Sequence, residues 1–172
     1  MEKSEDERFK DELRFNDVNL TKTQEDIAKE HYVNPKNNYV LENYNARGIG
    51  RNPDNWGQVD MYLQIDENEI LRDIGYQYKG CQTISFTASI FTEELKNVPL
   101  KDALYTTQKE LDELNAQSNC EDCIKMILVA FIAANENYLQ RKDTNNSNNQ
   151  DDYTLKMLET TIPYTEQSCG TV

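Results

Sequence analysis

Residues 57–80, GQVDMYLQIDENEILRDIGYQYKG, constrain this chain more than any other stretch. In QVDMYLQID, Val59, Met61, Leu63 and Ile65 alternate with Asp60, Tyr62 and Gln64, the period of a strand with one buried face. DENE turns the chain, and ILRDIGYQYKG supplies a second strand, so the pair reads as an antiparallel hairpin. Two strands cannot bury an apolar face alone, so other elements must cover it. The later sequence supplies them as helices. TISFTASIFTEELKN carries Ile84, Ala88, Phe91 and Leu95 at helical spacing, and PLKDALYTTQKELDELNAQ adds one or two helices with Pro99 in a first turn. From Cys120, the apolar positions Cys123, Ile124, Ile127, Leu128, Phe131 and Ile132 form a full helical stripe. Ser118 or Asn119 is placed to cap that helix, with Cys120 in its first turn.

Upstream, TQEDIAKEHY (23–32) reads as a helix capped by Thr23 and stopped before Pro35. Residues 36–55, rich in Asn, Gly and Tyr, read as extended chain and loop. The lead before residue 23 is acidic, with Phe9 and Leu13 spaced for at most a short helix. KDTNNSNNQDD (142–152) has the composition of a disordered linker, and YTLKMLETTIPY beyond it reads as a weak helix. The expected fold is α+β: an antiparallel sheet of about three strands with helices packed on one face, an acidic N-terminal lead and a flexible C-terminal tail. The expected divisions are an extension over 1–22, one domain over 23–141 and a linker with tail over 142–172.

Charge narrows the function. The chain has 172 residues, and 31 Asp and Glu against 18 Lys and Arg leave a net charge of −13, which disfavours nucleic acid and anionic membranes. The apolar run MILVAFIAA is about half the length of a membrane span. The start, MEKSEDERFK, has no apolar signal region, so the expectation is a cytoplasmic protein. Four cysteines (Cys81, Cys120, Cys123 and Cys169) without such a signal point to thiol or metal chemistry rather than a disulfide framework.

Cys81 follows Gly80 at the end of a strand, and Cys120 opens a helix. Both places expose backbone N–H groups that stabilise a thiolate, although Glu121 and Asp122 oppose this at Cys120. Soft thiolates suit iron–sulfur clusters, zinc or copper(I), but a closed site wants four ligands and two thiols are half of one. Cys123 is either an additional ligand or a buried thiol on the helical stripe. The single histidine, His31, lies far along the chain from every cysteine and reads as a packing residue. No Walker loop, dinucleotide fingerprint or nucleophile elbow is present, which points away from an enzyme.

The order strand, Gly-Cys, helix, helix-opening Cys resembles the U-type iron–sulfur cluster scaffold family, the IscU-like or NifU N-terminal domain, over residues 24–140. HYVNPKNN (31–38) is similar to that family's H-[YF]-x-N-P-R-N segment. GCQTISFTASIFTEELKNVPLKDAL (80–104) is similar to its G-C-G-x-A-I-A-S-S-S-x-x-T-E…G-K-[ST]-x-x-E-A-L stretch. The helix from Cys120 repeats the apolar spacing after H-C-S-x-L-A. The resemblance implies sulfur delivered by a cysteine desulfurase, a cluster assembled on Cys81 and Cys120, and transfer to cluster-acceptor proteins.

It also implies an altered ligand set. The family's first cysteine lies in P-x-C-G-D, where this chain reads NPDNWGQ. The register that keeps the proline and the strand's inward face sets Asn55 on the cysteine, Trp56 on the glycine and Gly57 on the aspartate. The alternative sets Trp56-Gly57 on Cys-Gly. Asn119 replaces the histidine before the third cysteine, and the chaperone-binding L-P-P-V-K has no counterpart before Cys120. Three readings are open: a cluster scaffold with a degenerate site, in which a homodimer sharing one cluster would pool four thiolates; a cluster-free relative that docks a desulfurase or another partner; and a zinc- or redox-responsive domain using Cys81, Cys120 and Cys123.

Overall fold

The structure is a computed structural model that describes residues 22–53, 56–116, 122–143 and 156–159. Its elements run α1 (Lys22–Val33), β1 (Ala46–Asn52), β2 (Gly57–Ile65), β3 (Leu71–Lys79), α2 (Gln82–Leu95), α3 (Leu100–Ala116), α4 (Asp122–Asp143) and β4 (Lys156–Glu159). The sheet order is β3-β2-β1-β4, with the first three strands antiparallel and the short β4 parallel to β1. The α+β expectation therefore holds, with one extra edge strand.

The hairpin forms where the alternation places it. Val59, Met61, Leu63 and Ile65 of β2 all point into the core, joined there by Leu71, Ile74 and Tyr76 of β3. Asp66 closes the turn by accepting the N–H groups of Asn68 and Ile70 on Oδ1 (both 2.9 Å) and Arg72 Nε on Oδ2 (2.7 Å). Glu69 supplies the left-handed φ of 58° that so tight a reversal needs.

Residues 36–55, expected as extended chain and loop, contain β1 as a defined strand. The strand reads ARGIGRN, and the inward positions at its centre, Gly48 and Gly50, carry no strand signature. The reason for the glycines is α4. A Cβ on Gly48 would lie 2.1 Å from Ala134 N, and one on Gly50 would lie 1.9 Å from Met126 O. The helix backbone rests directly on the strand, and only glycine leaves room. α4 is in turn buried almost all round, from Cys123 to Arg141, rather than along one stripe.

The weak helix expected near the C-terminus is corrected: Lys156–Glu159 is a strand. β1 would otherwise present an unpaired row of N–H and C=O groups, which an extended segment satisfies and a helix cannot. Thr160, Thr161, Ile162 and Pro163, next in the sequence, also disfavour a helix. Two smaller differences concern helix starts. α1 already includes Lys22, so Thr23 lies within it rather than capping it. Pro99 precedes α3, its carbonyl accepting the N–H groups of Asp102 and Ala103 (both 3.0 Å), and a single helix runs from there. The expected acidic lead, most of the linker and the distal tail lie outside the described residues.

α1 is fastened to α2 by the segment after it. Tyr32 meets Phe86 edge-on, with ring centroids 6.0 Å apart. Asn37, buried and at a left-handed φ of 62°, donates Nδ2 to Thr92 Oγ1 (2.9 Å) and Glu93 Oε1 (2.8 Å) and accepts Lys96 Nζ (2.6 Å). Its carbonyl accepts Tyr76 N–H at 2.9 Å, tying the loop to the edge of β3. The N-P-K-N run is thus a clamp between helix and sheet.

Candidate functional site

Cys81 stands where β3 turns into α2. Gly80 makes the reversal at φ 141°, a conformation L-residues rarely adopt, and a Cβ there would meet Ile84 Cδ1 at 2.6 Å. Cys81 itself is extended (φ −75°, ψ 161°) and occupies the N-cap of α2, its carbonyl accepting Ile84 N–H at 3.1 Å. Its side chain makes no capping hydrogen bond to the helix. The sequence led us to expect the sulfur to be held by helix N–H groups. It instead turns toward a second thiol.

That thiol is Cys123. It sits in the first turn of α4, only 2% exposed, in the same core cluster as Met126, Ile127, Ala130 and Phe131. The Sγ atoms of Cys81 and Cys123 are 2.9 Å apart, and no disulfide joins them. The two helices carrying them are locked by Phe91 of α2 against Phe131 of α4, edge to face with centroids 5.7 Å apart. Cys123 therefore lies on the buried stripe and also touches Cys81. A sequence separation of 42 hides that contact from any motif.

The β1–β2 connection lies at the same end of the sheet. Asn52 pairs with Gly57 and Gln58 with Lys79, which sets Pro53 and Trp56 at the sheet end that carries Gly80 and Cys81. The backbone of Gly57 comes within 3.9 Å of where a Gly80 Cβ would stand. Trp56 is 77% exposed and has a left-handed φ of 60°, with Arg51 Cζ 5.8 Å from its ring centre. Such a φ is uncommon for a bulky residue and costless for glycine.

The remaining sequence candidates separate cleanly. Asn55, Asn119, Cys120 and Cys169 lie outside the described residues. His31 is bound elsewhere: its Nδ1 is 2.6 Å from Ser89 Oγ, which also accepts Lys36 N–H at 2.7 Å, so His31 joins α1 to α2. Among the described residues no group of three or more His, Cys, Asp or Glu is arranged to hold a metal ion. What they offer is two soft thiols in contact, a pair suited to sulfur chemistry or to half of a metal site. Among the described residues, too, no helix is long and apolar enough to cross a membrane.

Comparison with known proteins adds to this geometry. Residues 23–145 match the family model described as "NifU-like N terminal domain". Over 85 residues, 49% of this chain and 54% of the relative, the sequence is 31% identical to the iron-sulfur cluster assembly scaffold protein IscU of Aquifex aeolicus. Over 85 residues it is 32% identical to the nitrogen fixation protein NifU of Azotobacter chroococcum, covering 28% of that protein. The matched stretch thus spans about half of the one relative and less of the other. A crystal structure of an N-terminal NifU-like protein from Brucella abortus superposes with a TM-score of 0.41 at 14% identity, covering 69% of this chain and 82% of that one.

Proposed function

The chain belongs to the family of NifU-like N-terminal domains, and on that premise we propose that it is an iron–sulfur cluster assembly scaffold with an altered ligand set. The observation that carries this reading is the placement of Cys81: behind Gly80, at the N-cap of α2, with the β1–β2 connection at the same sheet end. This is where the family's middle cysteine belongs in the motif that residues 80–104 resemble. Cys81 and Cys120 accept sulfur and ligate the nascent cluster, which is cargo rather than a resident group. Cys123 adds a third thiol beside Cys81. The left-handed φ of Trp56 supports the register that sets Trp56 on the family's glycine and Asn55 on its first cysteine.

With the first cysteine, the aspartate and the histidine of the family replaced, one chain supplies fewer soft ligands than a cluster wants. Two copies sharing a cluster would make up the difference. The reading assigns no catalytic turnover. It names a cysteine desulfurase as sulfur donor and cluster-accepting proteins as recipients, both by the likeness to the scaffold relatives. The replacement of those family ligands favours a second reading, in which the domain docks a desulfurase or another partner and carries no cluster.

Anaerobic reconstitution with iron and sulfide, read by visible absorption and by iron and sulfide analysis, separates the two. The scaffold reading expects a coloured species on the intact protein that Cys81→Ser and Cys120→Ser each abolish. An intact, folded protein that takes up no iron would refute it and leave the docking reading.

A further inference from the structure

We propose that Cys81 and Cys123 form a built-in dithiol that reduces a sulfane sulfur delivered to Cys81 and releases it as sulfide. The inference rests on the scaffold reading, since it needs a persulfide donor, but it assigns to Cys123 a role that cluster ligation does not require.

The environments of the two thiols divide the labour. Cys81 is half-buried at a chain reversal on the protein's edge, whereas Cys123 is sealed inside the core. An external persulfide can reach the first and not the second. Cys81 attacks the outer sulfur of a donor R–S–SH, forming Cys81–S–SH and releasing R–SH. Cys123 then attacks the inner sulfur, Cys81 Sγ. Its thiol proton leaves with the outgoing sulfur, so that Cys81–S–S⁻ and Cys123–SH become the Cys81–Cys123 disulfide and HS⁻. The sulfane sulfur gains two electrons, the two thiols lose two, and an external dithiol resets the pair.

Geometry favours the second step. The sulfurs stand 2.9 Å apart, so about 0.9 Å of closure reaches the S–S bond length, and attack occurs through the neighbouring thiol rather than by diffusion. The mobility needed is that of two side chains, because Phe91 against Phe131 already holds α2 to α4. Cluster assembly consumes sulfide while donors supply sulfane sulfur, so a scaffold with its own two-electron source can make the conversion beside the site of use.

The test uses the pre-reduced chain of residues 1–172, anaerobically, with about one equivalent of glutathione persulfide and no other reductant. Sulfide is quantified, and alkylated peptides are mapped by mass spectrometry. The expected result is sulfide release accompanied by a Cys81–Cys123 linked peptide pair. Cys123→Ser should retain the extra sulfur on Cys81 and lower sulfide release roughly tenfold or more, the scale expected when a positioned nucleophile is lost. Wild-type release by Cys123→Ser, or a linkage joining Cys81 to Cys120 instead, would overturn the proposal. Sulfur retained on Cys120 alone would also overturn it while leaving sulfur acceptance intact. Sulfur retained on no cysteine, with no sulfide formed, would refute the scaffold reading as well. If Cys123→Ser does not fold, Cys123→Ala replaces it, and the peptide map of the unaltered protein decides by itself.

Discussion

Gly50→Ala adds one methyl group at the contact between β1 and α4. In an ordinary strand this change stabilises a protein by about 0.5–1 kcal/mol, because alanine loses less chain entropy on folding. Here the new Cβ would stand 1.9 Å from Met126 O, where about 3.0 Å is the least a Cβ tolerates. The obstacle is helix backbone, which no rotamer change moves. α4 must lift by at least about 1.1 Å at Met126, and a gap of that size forfeits up to half the dispersion energy of every contact it opens. Overpacking of this kind costs about 1–3 kcal/mol and occasionally more. Because the obstacle is backbone, the cost falls at the upper end of that range. With the entropic gain subtracted, the net destabilisation should be about 2 kcal/mol, or roughly 4–8 °C in Tm for a domain of this size. Urea unfolding and a thermal melt beside Arg51→Ala, which changes a half-exposed neighbour on the same strand, provide the measurement. Because Met126 lies one turn beyond Cys123, the same lift should part Cys123 from Cys81 and slow formation of their disulfide under mild oxidation. A Gly50→Ala protein as stable as the parent, or more so, would refute the claim that helix backbone rests on β1.

Two further predictions concern polar groups. Hydrogen bonds from Asn37 and Lys96 hold the Glu93 carboxyl below its ordinary value of 4.5. Native Glu93 therefore binds a proton less readily than unfolded Glu93, and its contribution is present above about pH 4.5 and lost as pH falls through the lowered value. Asn37→Ala removes three side-chain hydrogen bonds and should cost about 2–3 kcal/mol at pH 7. It should also flatten the loss of stability between pH 5 and pH 3, on the order of the carboxylate range; an unchanged pH profile would count against the clamp. Lys125, only 1% exposed, has no hydrogen-bond partner for Nζ among the described residues. Lys125→Met keeps the stem and removes the polar tip, so stability in urea should rise by about 1 kcal/mol or more, and a fall would show that Nζ is partnered.

The sequence by itself determined the parts whose signals are local. The alternation of Val59, Met61, Leu63 and Ile65 set the strand and its inward face, and Asp66 set its turn. The spacing of Ile84, Ala88 and Leu95 set α2, and Gly80 before Cys81 marked the reversal that holds the candidate site. β1 was legible only as part of an extended stretch and not as a sheet strand, because Gly48 and Gly50 answer to a helix more than seventy residues later rather than to strand propensity. Nor was β4, whose pairing depends on a free edge that exists only once β1 is in place. Lys125 sits in the apolar run between Cys123 and Ala134, which becomes buried on nearly all sides only when sheet and helices close around it. Cys123 shows the division most directly. Its offset along α4 fixed that it would be buried, but burial is a property of one helix face, whereas contact with Cys81 depends on how two helices are set against each other. Phe91 on Phe131 and the glycine floor beneath α4 make that setting, and they exist only in the folded chain.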